Sequence, residues 1–384
     1  MKSILAVLAA LSFPTPALAA PCDLAAPDAA HAGDGCARAW MDANLHLNDI
    51  LVVGTHNSYK QAIDPKIMAL IAGKSQALAA SLDYSHMSLD KQLDDGARAL
   101  ELDVVYDPKG GLFAHPLGPA VVGETLPAGY SDAMMKPGFK VMHAQDFDFF
   151  SSCMTFVNCL GIIKAWSAAH PDHVPILITL NAKDDSPIPQ GTQALKFDTA
   201  AFDALDAEIA SVFSPGDLIT PDQVQGSYPT LRDAVLEHGW PTLGASRGKF
   251  LFALDEDEPK ISLYRGGRKS LEGRLMFVNA PEDSPAAAYL TLNEALTDTA
   301  HITADVKAGF LVRTRADADT AEARKNDTAR RDAALASGAQ YVSTDYMETD
   351  TRFGPYQARL RDGAIALCNP EREPERCAGL SVEP

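Results

Sequence analysis

The chain has 384 residues, a formal net charge of −18 and an apolar content of 46%. That allows a large buried core, while so negative a field argues against nucleic acid as a partner and against electrostatic adhesion to anionic membranes. It suits a bound cation, although solubility alone also accounts for an acidic surface.

In chain order, Lys2 precedes an apolar run from Ile4 to Phe13, and Ala17-Leu18-Ala19 has the small-x-small form of a cleavage site. The run is far shorter than the ~20 residues of a membrane-spanning helix. Residues 1–19 therefore read as a secretion signal, and 20–384 as the mature part of a secreted or periplasmic protein. No composition shift marks a boundary within it, and α/β barrels commonly use this length as one domain. The cysteines fall in three close pairs, Cys22/Cys36, Cys153/Cys159 and Cys368/Cys377. Local pairing is the simplest expectation, though spacing does not fix connectivity.

Eight short runs, β-branched or aromatic, alternate with helical patterns: Ile50–Gly54, Ala99–Val104, Phe139–His143, Val174–Leu180, Lys249–Leu254, Arg274–Val278, Gly309–Arg313 and Gln340–Thr344. That number and alternation predict a (β/α)₈ barrel. Helices are expected over Phe156–His170, Asp198–Phe213 and Asp319–Ser337. The stretches 107–137 and 183–193 are rich in Pro and Gly. The first is long for a connection inside a compact domain. Its apolar residues suggest a lid or lipid-contacting rim, or packing on the barrel's own surface.

In a barrel, reactive groups gather where strands run into the loops that follow. The first run leads into His56 and Asn57. The second, Ala99-Leu100-Glu101-Leu102-Asp103-Val104, puts two carboxylates on one face by alternation. Inside an apolar strand they need a partner or a metal, and a hard cation takes oxygen ligands. A solvent-facing ion pair on an edge strand would also fit, but a barrel has no edges. The third run ends at His143, the fourth aims Asn181 and Lys183 the same way, and the seventh leads into Arg313 and Arg315. Asp146, Asp148 and Asp345 lie near strand ends, where they could orient a histidine. Metal, base, acid and anion clamp together are the equipment for displacement at a phosphodiester.

Gly54-Thr55-His56-Asn57-Ser58-Tyr59, followed by Gln92-Leu93-Asp94-Asp95-Gly96-Ala97-Arg98-Ala99-Leu100-Glu101-Leu102-Asp103, resembles the catalytic region of phosphoinositide phospholipases C. Phe139–His143, Cys153–Cys159 and Tyr341–Tyr346 resemble the bacterial calcium-dependent branch. The resemblance implies a calcium cofactor, with Asn57, Glu101 and Asp103 as ligands and His56 as general base on the inositol 2-hydroxyl. A second histidine would protonate the leaving diacylglycerol oxygen. His143 fits that place, with His115, in Phe113-Ala114-His115-Pro116, as its rival.

Lys183, Arg313 and Arg315 are candidate phosphate clamps, unless they are solvated surface charges. The animal enzymes carry a further acidic calcium ligand where this chain has Asn181; an amide oxygen can coordinate calcium, but with less charge. The expected partners are a phospholipid or inositol phosphodiester and, transiently, a membrane surface; a monomer is expected. A glycerophosphodiester phosphodiesterase and an exported binding protein without turnover remain alternatives.

Overall fold

The computed structural model describes residues 21–383 apart from 238, 373–374 and 378–379. The expected secretion signal lies outside these residues. Ten strands are described: β1 (Ile50–Thr55), β2 (Ala99–Val105), β3 (Lys140–Val141), β4 (Ile176–Ala182), β5 (Phe250–Leu254), β6 (Met276–Val278), β7 (Tyr289–Thr291), β8 (Leu311–Arg315), β9 (Tyr341–Thr344) and β10 (Ala366–Cys368). β2, β4, β5 and β6 run parallel in that order. So do β7, β8, β9 and β1.

Two junctions join these halves. A parallel bridge between Asn279 and Tyr289 links β6 to β7. Between β1 and β2, Arg98 N–H donates to Val53 O and Ser58 N–H to Glu101 O, both at 2.9 Å. A Cβ on Gly54 would lie 2.1 Å from the Ala99 carbonyl oxygen, so only glycine lets the two backbones come this close. The result is a (β/α)₈ barrel with β1, β2, β4, β5, β6, β7, β8 and β9 as its staves. β10 runs antiparallel along the first half of β1 and fills the gap below the β1–β2 junction.

β1 and β2 are buried along their whole length, as parallel strands covered on both faces are. The helix Phe156–Ala169 buries Phe156, Leu160 and Ile163. The helix Thr199–Val212 starts where the Asp198 carboxylate accepts from Ala201 N–H at 2.8 Å. The six cysteines pair locally as expected.

Three expectations need correction. The run Phe139–His143 is not a barrel strand: only Lys140–Val141 is extended, antiparallel to the end of β2. The chain leaves β2, makes the 107–137 excursion and returns alongside it. The true barrel strand that hydropathy missed is β7, whose approach, Ala286-Ala287-Ala288, carries no β-branched signal. Finally, Asp319–Ser337 forms two helices, Ala321–Lys325 and Ala329–Ala336, broken at Asn326 with φ +50°.

The 107–137 stretch holds two short helices, Leu117–Val122 and Tyr130–Met134. Its Phe113, Tyr130 and Met134 pack with Val105, Met142 and Phe149 in a small core of their own. Val121 and Met135 remain about 60% exposed, at 62% and 60%.

Candidate active site

Two histidines face the barrel mouth, each held at Nδ1 by a buried carboxylate. His56, at the end of β1, lies 2.8 Å from Asp345 Oδ1. Its backbone continues the sheet, with N–H donating to Thr344 O at 3.0 Å. A carboxylate accepts, so Nδ1 carries the proton and Nε2 presents its lone pair. Nε2 lies 3.4 Å from Arg315 Nη1 and 3.6 Å from Glu101 Oε1. Burial, then the Arg315 guanidinium, holds the His56 imidazole well below its ordinary range, so it is neutral at pH 7.

His143 lies in the loop after β3, with Nδ1 2.8 Å from Asp148 Oδ2. Asp148 also receives the Lys60 ammonium at 2.8 and 3.0 Å, and Lys60 is completely buried. Burial pushes the Asp148 carboxyl up, but His143 and Lys60 outweigh it and keep it below the ordinary range. His143 is near enough for its charge to register at His56. Its Nε2 has no hydrogen-bond partner among the described residues. His115 is exposed, in the loop before the helix Leu117–Val122, and no carboxylate orients it.

Glu101 and Asp103 lie side by side on β2, and both are buried. Glu101 accepts from Asn181 Nδ2 at 3.0 Å and from Arg313 Nη2 at 2.5 Å. Asp103 is fully buried, yet neither of its oxygens has a hydrogen-bond donor. Lys183 Nζ stands 3.2 Å away as an ion-pair partner without hydrogen-bond alignment. Asn57 takes the left-handed conformation, φ +46°, that turns the chain off β1 and brings its amide to the mouth. There it donates to Tyr84 Oη at 2.7 Å and receives Tyr59 Oη–H at 3.4 Å.

The two arginines of β8 differ. Arg313 is committed to Glu101, Ser343 Oγ at 3.1 Å and Asn293 Oδ1 at 2.7 Å. Arg315 holds Asp345 at 3.0 Å and turns its other amino group to His56. Lys183 is about a third exposed at the mouth, at 38%. An acidic cavity of about 440 Å³ adjoins Asn181, lined by Asp255, Glu256, Asp257 and Lys260 among others.

Residues 45–370 match the family described as phosphoinositide phospholipase C, Ca2+-dependent. The chain belongs to that family. It is a phosphoric diester hydrolase with calcium as cofactor. No curated protein matches it. Among solved structures, a calcium-dependent phosphoinositol-specific phospholipase C from a Gram-negative Pseudomonas sp, in a myoinositol complex, is similar at 18% identity and TM-score 0.51, over 85% of this chain and 96% of that one. A calcium-dependent phosphatidylinositol-specific phospholipase C from Streptomyces antibioticus is similar at 19% identity and TM-score 0.48, over 78% and 95%. At 18% identity the likeness to the Pseudomonas structure speaks for the barrel alone.

The donor set suits the family's metal. Calcium takes hard oxygen ligands, and the buried oxygens of Asp103, which have the Lys183 ammonium nearby but no hydrogen-bond donor, are what such a cation would satisfy. Asn57, Glu101 and Asn181 surround the same mouth with further oxygens. Lys60, Tyr59 and Tyr84 were not legible in the sequence: a lysine four residues past His56 carries no signal until the fold buries it. Asp148 and Asp345 were visible as candidates. Asp146 orients no histidine, for its carboxylate instead binds Leu117 N–H at 3.0 Å and Thr192 N–H at 2.7 Å.

Proposed function

We propose that the enzyme cleaves phosphatidylinositol-type phospholipids to diacylglycerol and an inositol phosphate, with His56 as general base and His143 as general acid. The observation that carries this reading is the paired arrangement: two histidines on opposite sides of a carboxylate-lined mouth, each with Nδ1 fixed by a buried aspartate. His56, kept neutral, takes the proton of the attacking inositol hydroxyl at Nε2. His143 gives a proton from Nε2 to the diacylglycerol oxygen as its bond to phosphorus breaks. Each such transfer is worth about 10²–10⁴-fold.

Asn57, Glu101, Asp103 and Asn181 would hold the calcium ion. There it would supply charge neutralisation for the phosphoryl group and favour ionisation of the attacking hydroxyl. Arg315 and Lys183 face the phosphate; Arg313, with its donors engaged, positions Glu101. The acidic cavity beside Asn181 takes a hydroxyl-rich headgroup and repels one carrying further phosphates. The reading includes a single catalytic domain, exported to an oxidising compartment where three disulfides persist. It also includes brief contact of Val121 and Met135 with the lipid surface, which requires no spanning segment; among the described residues no helix is long and apolar enough to cross a membrane.

The test is hydrolysis of phosphatidylinositol, phosphatidylcholine and glycerophosphoinositol, each with calcium and with chelator. Turnover of phosphatidylinositol that depends on calcium is expected. Equal turnover of the choline lipid would discard the substrate, and a preference for the deacylated diester would favour a glycerophosphodiesterase.

A further inference from the structure

A second cluster of metal-binding side chains lies on the barrel's flank. The helix Ala295–Ala308 follows β7 and carries His301 and Asp305, one turn apart and so on one face. Glu282 comes from the connection between β6 and β7, which Arg232 pins by donating to the Glu282 carbonyl at 2.6 Å. Glu282 Oε1 is 2.5 Å from His301 Nε2, and His301 Nε2 is 3.3 Å from Asp305 Oδ2. The three donor atoms lie within 4.8 Å of one another, and no other such group occurs among the described residues.

Asp305 supplies the second observation. It is only 7% exposed, and its Oδ2 is buried without a hydrogen-bond donor, although it points at the imidazole. The ring's N–H is spent on Glu282. A buried carboxylate oxygen beside a second carboxylate needs a cation, a part that the His301 ring plays for Asp305 only through charge at 3.3 Å and without a hydrogen bond. Asp298, one turn earlier on the helix, adds further negative charge felt by His301.

We propose that Glu282, His301 and Asp305 form a binding site for a divalent transition-metal ion of the zinc class, separate from the calcium site at the mouth. One imidazole and two carboxylates match such an ion, whereas calcium has little use for a ring nitrogen. Metal–ligand bonds near 2.1 Å in tetrahedral geometry set donor atoms about 3.4 Å apart. The His301–Asp305 pair, at 3.3 Å, already stands close to that spacing. The Glu282 side chain, 44% exposed, has to withdraw from the ring by less than about 1 Å. The ion takes the place of the proton now shared between Glu282 and His301, which is released to solvent. His301 is half exposed, so water completes the coordination. Bound there, the ion ties the β6–β7 connection to the helix that precedes β8.

The test is titration of the mature enzyme with Co2+ in saturating Ca2+, followed by displacement with Zn2+. The wild type should bind one more equivalent of Co2+ than His301→Ala or Glu282→Gln, with a visible absorption band that Zn2+ abolishes. Calcium-dependent hydrolysis should be unchanged in both variants, since neither position touches the mouth. Equal Co2+ stoichiometry in wild type and variants would overturn the proposal. On the unaltered chain, Zn2+ should protect His301 from diethyl pyrocarbonate; modification unaffected by Zn2+ would equally overturn it.

Discussion

The His56 side of the mouth is built from barrel strands, whereas the His143 side is built from loops. His56 extends β1, and its orienting Asp345 follows β9, the strand paired with β1. Arg315, on the next strand, completes a charged row whose spacing the sheet register dictates. His143 and Asp148 lie outside the barrel strands, with a lone antiparallel bridge between Ala144 and Asp148 as their backbone pairing. They depend on Lys60, buried with its charge fully paired to Asp148. The same Nδ1–carboxylate device is thus fixed once by backbone register and once by a buried ion pair. The second is the more easily broken.

The largest expected effect is on chemistry. His56→Ala and His143→Ala should each lower kcat on phosphatidylinositol by about 10²–10⁴-fold. An unchanged rate in either variant would remove that side from the mechanism.

The contrast between the two sides is sharpened by Asp148→Asn against Asp345→Asn. Losing the Asp148 charge leaves the Lys60 ammonium buried and uncompensated, which costs about 3–5 kcal/mol. Denaturant unfolding should show this. Asp345→Asn should destabilise less, because Asp317 remains close to Arg315 and shares its charge. Equal losses would erase the distinction.

A smaller effect concerns pH. His56 must be neutral to act as base, and its imidazole is held below its ordinary range. The acid limb of the kcat/KM profile, which reports the base, should therefore lie well below pH 6.5. Arg315→Gln removes a charge that lowers the imidazole, so the acid limb should move up. An unmoved limb would mean that Arg315 does not set the base.

The smallest effect is at Asn181→Asp. The added charge should tighten calcium, by less than about tenfold, because it also faces Glu101 across a distance now bridged by a hydrogen bond. The calcium concentration for half-maximal activity measures it.

Legibility in the sequence follows the same division. Alternation on β2 was enough to set Glu101 and Asp103 on one face, and strand ends placed His56, Asn57 and Arg315 at the mouth. All of these lie on parallel strands whose runs are apolar and continuous. The His143 side was read through a strand that is not in the barrel. Its histidine stands near the mouth because the 107–137 excursion folds back along β2, a long-range event without periodicity. Lys60 shows the limit most clearly, since nothing local says that a lysine will be buried. Likewise β7, three residues after an alanine run, offered too little pattern to be seen.

The central claim is that the two histidines do opposite jobs. It is tested most directly by comparing each alanine variant on phosphatidylinositol and on an inositol phosphodiester with a nitrophenol leaving group, which needs no proton to depart. The account predicts that His143→Ala recovers most of its activity on the activated substrate, while His56→Ala stays impaired on both. Recovery by His56→Ala, or equal impairment of the two variants on both substrates, would contradict it.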